Sequence, residues 1–313
     1  MNIGIIGTGA MACLFAARLA PVAIPFLVGH WPEQIRAIRA GGLTLLPLVA
    51  GETPQTVLVT AYHTDEPLPV AEVVLVLAKS GQTGNAAAVA NRLLSPTGLA
   101  FTLQNGLGNV EILAHTLGTD RVNGGSTAQG AVIVRPGVVQ HTGNGLTYLA
   151  DGTSSRPLAE LFNQAGITTH LVSDLASVIW GKLIVNAGIN PLTALLRVPN
   201  GFLAQDPTAR LWLTRIVEET AQVAQANGIT LPYADPITRT LEVAQATANN
   251  HSSMLQDVQR GVPTENEAIS GAIVRYGFKA NCPTPLNSRL YQLIQAGASP
   301  LTPTELAHAL QTL

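Results

Sequence analysis

Cysteine is almost absent. The 313-residue chain has two, Cys13 and Cys282, too few for a disulfide framework or a cysteine-built zinc site. They read as ordinary buried thiols in a reducing, cytoplasmic setting. Charge is scarce as well: charged residues make up 12%, against roughly 25% in an average soluble protein. The net charge of −2 offers no basic field for nucleic acid or an anionic membrane. Long apolar runs are missing where they would matter. A membrane span needs ~20 predominantly apolar residues, but the stretch from Gly4 stops at Arg18, and the next carries Pro21 and Pro25. No basic segment precedes the first apolar run, so no signal peptide is expected. His63, His141 and His170 lack partners at metal-ligand spacing, and no metal is expected.

What is present is apolar: 47% of the residues, enough for a large core and far from a disordered composition. A prior of ~150 residues per domain suggests two domains. The first half alternates β-rich runs with helical patterns. Strands are expected at Asn2–Ile6, Val22–Val28, Thr56–Thr60, Glu72–Ala78 and Gly98–Gln104. Helices are expected at 10–19, from Pro32 to about Arg39, at 82–94 and from about Gly108. That alternation predicts an α/β domain with a doubly wound parallel sheet. From about Asn123 to Val172 short strands and glycine-rich turns follow. Beyond Asp174 the pattern is helical, at roughly 174–190, 205–227, 234–258, 264–278, 286–296 and after Thr304. The expected division is 1–172, a Rossmann-type dinucleotide-binding domain, and 173–313, an all-helical domain.

Gly7-Thr8-Gly9-Ala10-Met11-Ala12 fits G-x-G-x-x-G/A directly after a strand and at the start of a helix. The first glycine permits the tight turn, the second lets a pyrophosphate approach the backbone, and the third small residue lets helix and strand pack closely. Free N–H groups at the helix start hold the phosphate. In NAD-binding domains an acid usually ends the second strand and binds the ribose 2′-hydroxyl. Here the strand ends Leu27-Val28-Gly29-His30, with no acid before Glu33. This argues against NAD without establishing NADP. His30, Trp31 or Arg36 could meet a 2′-phosphate, or the segment is a plain loop.

The pattern beginning at Asp174 is almost wholly apolar. After Ser177 its only polar side chains are Lys182, Asn186 and Asn190, four apart and so on one helix face. This suits either the lining of a wet cavity or a sparse surface stripe. A lysine among apolar neighbours can polarise or protonate a carbonyl, or form a Schiff base. Asn249-Asn250-His251-Ser252-Ser253 is a second polar cluster inside a helical pattern, where a kink is the bland reading. Thr264 and Glu267 have capping-box spacing, which would leave Glu265 as an acid favoured by the helix dipole. Lys79 and Asn105 stand at carboxyl ends of expected strands, where open α/β sheets bind ligands.

With these residues in hand, the chain resembles the ketopantoate reductases (2-dehydropantoate 2-reductases) over essentially its whole length. The likeness rests on the glycine loop, Lys79 and Gln104-Asn105-Gly106. It rests above all on Trp180-Gly181-Lys182-Leu183-Ile184-Val185-Asn186 through Asn190-Pro191-Leu192-Thr193-Ala194, and on Ser252-Ser253-Met254-Leu255-Gln256-Asp257 followed by Thr264-Glu265. The resemblance implies reduction of the 2-oxo group of ketopantoate by NADPH, on the route to pantothenate and coenzyme A. It implies that Lys182 protonates the carbonyl oxygen and that Glu265 binds the substrate hydroxyl and helps hold the lysine. Asn105, Asn186, Asn190, Asn250 and Ser253 would hold substrate and nicotinamide. Gly29-His30 departs from the family's arginine near that position, and Asn266-Glu267 from its usual isoleucine-aspartate. The partner implied is a small 2-oxo acid, acted on by a monomer or homodimer. Reduction of another 2-oxo acid, a related 3-hydroxyacid dehydrogenase and a non-catalytic dinucleotide sensor are the competing readings.

Overall fold

A computed structural model of the chain describes residues 1–297 and 299–311. The chain packs as two units. The first comprises residues 1–104 and 108–175; the second comprises 105–107 and 176–313.

The strands of the first unit are β1 (Asn2–Ile6), β2 (Ile24–Gly29), β3 (Leu43–Leu46), β4 (Gln55–Val57), β5 (Thr60–His63) and β6 (Ala71–Val76), then β7 (Leu94–Thr102), β8 (Val122–Thr127), β9 (Gly130–Arg135), β10 (Val138–Gly143), β11 (Thr147–Ala150) and β12 (Thr169–Val172). Its helices are α1 (Ala10–Leu19), α2 (Pro32–Gly41), α3 (Thr83–Leu93), α4 (Asn109–Leu117) and α5 (Arg156–Gln164). Eight strands form one sheet in the order β12-β11-β8-β7-β6-β1-β2-β5, parallel throughout except for β11 against β8. Successive strand side chains point to opposite faces, and both faces are covered. Ile3 and Ile5 pack with Phe15, Phe101 and Phe162 on one side, whereas Ile6, Val28, Val74 and Val76 pack with Ala86, Ala87 and Leu93 on the other. Such burial on both faces is why the central strands read as continuous apolar runs.

A four-stranded sheet, β4-β3-β10-β9, completes the first unit. Two details differ from the expectation at this point. The single strand expected over Thr56–Thr60 is two, β4 in the small sheet and β5 at the edge of the large one. In addition, β3 pairs in parallel with β10, nearly a hundred residues later, a non-local contact that local patterning does not encode.

The second unit is helical: α6 (Leu175–Leu196), α7 (Phe202–Gln205), α8 (Pro207–Ala226), α9 (Pro236–Ala246), α10 (Ser253–Gln259), α11 (Ala272–Lys279), α12 (Pro285–Gln295) and α13 (Pro303–Gln311). A π-helical turn, Glu267–Gly271, leads into α11. By length and composition α6 could cross a membrane, but 78% of its most apolar window is buried inside the protein. It packs with Trp212, Leu213, Ile216, Ile269 and Leu290 as the centre of the core.

The helix expected over 234–258 is two. Residues 247–252 break it: asparagine and serine are poor helix formers, and the Ala248 and Asn250 carbonyls accept from Gly201 N and Asn200 N. Ser252 then caps α10 by accepting from Leu255 N at 3.1 Å. The expected capping box at Thr264 is also absent. Glu267 turns instead to Arg275 and to the Tyr291 hydroxyl.

One buried acid sets the packing of α8 against α12. Glu219 accepts from Leu286 N (2.9 Å), Asn287 N (2.8 Å) and Asn287 Nδ2 (2.8 Å), donors at the start of α12. Glu219→Ala should therefore cost about 2–3 kcal/mol. Urea unfolding would test this, and a loss under about 0.5 kcal/mol would mean that water replaces the carboxylate.

Candidate active site

The glycine loop of the first unit has the geometry an anion would need. Gly7 has φ +128°, and a Cβ there would lie 3.1 Å from the backbone of Leu77 and Ala78, so only glycine suits the turn. Gly9 precedes α1 with open space where a Cβ would stand. The first bond of α1 is Cys13 N to Gly9 O, 3.0 Å. The N–H groups of Ala10, Met11 and Ala12 therefore have no acceptor within the helix. No acid occupies that first turn. These features fit a dinucleotide pyrophosphate.

At the end of β2, a Cβ on Gly29 would come within 2.7 Å of Thr8 Cγ2. A side chain at that position would require the Thr8 side chain to move. His30 is exposed, and its Nδ1 is 2.9 Å from the buried Thr64 hydroxyl. Its ring stands edge-on to His63, with centroids 5.6 Å apart. The nearby arginines are engaged: Arg36 with Glu33, and Arg39 with Glu66 and the Ala61 carbonyl. Lys79 is exposed and precedes a 3₁₀ turn, Ser80–Gln82. Gln104 holds that neighbourhood together, donating to Ala78 O (2.9 Å) and Thr83 Oγ1 (3.0 Å) and accepting from Thr102 Oγ1 (2.8 Å). His141 is buried among Arg18, Gln129 and the Gly143 carbonyl, a structural residue. Among the described residues no group of three or more His, Cys, Asp or Glu could hold a metal.

The second unit gathers the remaining candidates. Lys182, Asn186 and Asn190 share one face of α6, with Asn190 buried. Burial pulls the Lys182 ammonium from 10.5 down to about 8, while the Glu265 carboxylate pulls it back up. Glu265 is buried, 6% exposed, and accepts from Asn105 Nδ2 at 3.0 Å. Asn105 therefore joins Lys182 and Glu265, because residues 105–107 pack with the second unit. A second bond, Leu107 N to Ala268 O (3.2 Å), fastens that segment. Asn250 and Ser253 are exposed, on the turn before α10 and in its first residue. That turn is stitched down by Asn200 N to Asn250 O (3.0 Å) and Gly201 N to Ala248 O (3.1 Å). It is joined to α6 through Thr193 Oγ1, which donates to Ser252 Oγ at 2.7 Å.

Sequence reading missed three participants. Thr193 and Ser252 link α6 to α10, and the π turn sets Ala268 against residue 107. The signals were present but ambiguous: a threonine two residues after Pro191, paired serines in a polar cluster, and a departure from the family's usual residues at 266–267. Lysine usage is a further signal. The chain has three lysines, Lys79, Lys182 and Lys279, and two of them stand at the candidate sites.

Comparison with known proteins agrees in both units. The family model "Ketopantoate reductase PanE/ApbA" matches residues 3–154, and "Ketopantoate reductase PanE/ApbA C terminal" matches 174–298. The 2-dehydropantoate 2-reductase of Halobacterium salinarum is 33% identical over 303 residues, covering 94% of this chain and 98% of that protein. The crystal structure of a PanE/ApbA family ketopantoate reductase from Ralstonia eutropha superposes with a TM-score of 0.88 at 29% identity, covering 95% and 98% of the two chains. D-Mandelate dehydrogenase, solved with NADH and anilino(oxo)acetate, shares the fold at 24% identity and a TM-score of 0.86, over 95% of this chain and 98% of that one.

Proposed function

Because the chain belongs to the ketopantoate reductase family, we propose that it reduces the 2-oxo group of 2-dehydropantoate to pantoate, with NADPH as the preferred reductant. The observation that carries this reading is the polar face of α6 in an apolar unit, with a depressed lysine beside a buried carboxylate held by Asn105. The nicotinamide cofactor, when bound, supplies the hydride.

The chain's own residues do the rest. The ammonium of Lys182 stabilises the oxygen on which negative charge develops and donates a proton to it. Glu265 accepts from the substrate hydroxyl and keeps a negative charge near the lysine, and the asparagines and Ser253 hold the substrate's polar groups. The open amides of Ala10, Met11 and Ala12 hold the pyrophosphate, with Thr8 beside them. Lys79 lies at the cofactor's edge. His30, in place of an arginine, is the side chain offered to a 2′-phosphate, so the preference for NADPH over NADH should be modest. The enzyme would work in the cytoplasm as a monomer or homodimer.

The direct test follows loss of nicotinamide absorbance for NADPH and NADH, with ketopantoate and with 2-oxoisovalerate, which lacks the hydroxyl. Ketopantoate-dependent oxidation of NADPH is expected. Binding of both nucleotides without turnover would favour another 2-oxo acid or a non-catalytic dinucleotide sensor. Glu265→Ala should raise the KM for ketopantoate by about 10- to 100-fold, the worth of a hydrogen bond to a charged group. The nucleotide Kd should stay near wild type. An unchanged KM would leave Glu265 with a structural role only.

A further inference from the structure

The helix that carries Lys182 has a glycine immediately before it, in mid-helix. Glycine there weakens a helix, so its presence calls for a reason, and the packing supplies one. A Cβ on Gly181 would lie 2.8 Å from Pro232 Cγ, 2.9 Å from Pro232 Cδ and 3.2 Å from Tyr233 Cε1. The loop between α8 and α9 thus rests directly on the α6 backbone. Tyr233 Oη also donates to the Gly181 carbonyl at 2.7 Å, using the lone pair that a helical carbonyl keeps free.

We propose that Tyr233 is a positioning residue for Lys182: its ring and hydroxyl fix the Gly181 backbone and so the point from which the lysine side chain departs.

The loop is suited to this because both of its ends are pinned. At the end of α8, Gly228 takes φ +74°, while Gly228 N bonds Gln225 O (2.9 Å) and Ile229 N bonds Ala224 O (3.0 Å), the Schellman closure. At the start of α9, Asp235 accepts from Ile237 N (2.9 Å) and Thr238 N (3.2 Å), with Pro236 following. Proline at 232 removes further freedom. Burial pushes the Tyr233 phenol up to about 12, so it remains a hydrogen-bond donor wherever Lys182 titrates. On the other side of Gly181, Trp180 is buried edge-on to Tyr276, with centroids 5.4 Å apart. The two residues before the lysine are therefore both clamped. Release of one clamp would let the ammonium relax towards water, and both its titration and its aim would change.

This inference rests on Lys182 being the proton donor, and its test separates the two. With three lysines in the chain, side-chain nitrogen signals from ¹⁵N-lysine protein can be assigned by single substitutions and followed against pH. In Tyr233→Phe the Lys182 midpoint should rise from about 8 by about half a unit or more, as desolvation is relieved. Turnover with ketopantoate should fall about three- to tenfold, and the nucleotide Kd should stay within about twofold. Pro232→Ala, which keeps the hydroxyl, should shift the midpoint less. A lower melting temperature with an unmoved Lys182 midpoint and unchanged kcat would make Tyr233 merely structural and overturn the proposal. Full turnover in Lys182→Ala would instead remove the functional reading, while the titration shift in Tyr233→Phe would still stand.

Discussion

Lys182→Met is expected to lower turnover by about 10²–10⁴-fold, the usual contribution of a positioned general acid, and at the same time to make the protein more stable at pH 7. Both effects have one cause. Burial holds the ammonium at about 8 rather than 10.5, against the pull of Glu265. Between those values the unfolded chain binds more protons than the folded one, so this group makes stability rise with pH across that window. Below about pH 8 the folded protein carries the full cost of a buried charge. Methionine fills similar space without it, for a gain on the order of 1 kcal/mol at pH 7 so long as Asn105 continues to donate to Glu265. The gain should shrink through the window and vanish above its upper end, as urea midpoints at several pH values would show. Loss of stability at pH 7 would mean that the carboxylate left behind by the lysine costs more than the lysine does. Activity should follow the same proton. With the ammonium as the proposed donor, kcat/KM should fall as pH rises through about 8, whereas a limb near the ordinary lysine value would place the group in water.

Much of this was legible in the sequence, and for physical reasons. A glycine loop between a strand and a helix is a local structure, and its amides need no distant partner. The Lys182–Asn186–Asn190 stripe follows from helical periodicity alone, because polar side chains that recur every fourth residue must share a face. The electrostatic state of Lys182 did not follow, since it depends on what packs around the helix. Nor did the break at 247–252, where the same asparagines and serines suit a kinked helix or a turn, and where the contact from Thr193 to Ser252 decides. The capping-box spacing at Thr264 misled because Glu267 has nearby partners in Arg275 and Tyr291. The least legible feature is the packing of residues 105–107 with the second unit. Asn105 and Glu265 are 160 positions apart, and no local pattern announces a contact at that separation.

That contact is the ground of the second large effect. Gly106→Ala should lower kcat/KM for ketopantoate by about 10²-fold or more, the scale expected when reacting groups are misplaced by about an ångström. Gly106 takes φ +84°, and a Cβ there would lie 2.2 Å from Ala268 O and 2.6 Å from Ala268 Cβ. The backbone oxygen cannot yield as a flexible side chain would. It belongs to the π turn, where it already accepts from Leu107 N. The widened turn therefore serves as a socket for residues 105–107, and a single methyl group evicts them. Once they move, Asn105 no longer donates to Glu265, and the carboxylate beside Lys182 loses its orientation. Positive φ alone is not the cause, and Gly108 provides the control. It has φ +91°, and a Cβ added there would meet nothing within 4 Å, so Gly108→Ala should cost stability, about 1 kcal/mol, and leave kcat/KM within a few-fold. Equal losses from the two substitutions would trace the effect to backbone strain in the turn. A large loss confined to Gly106→Ala would trace it to the seat on Ala268, and Asn105→Ala should then reproduce most of it without a comparable loss of stability.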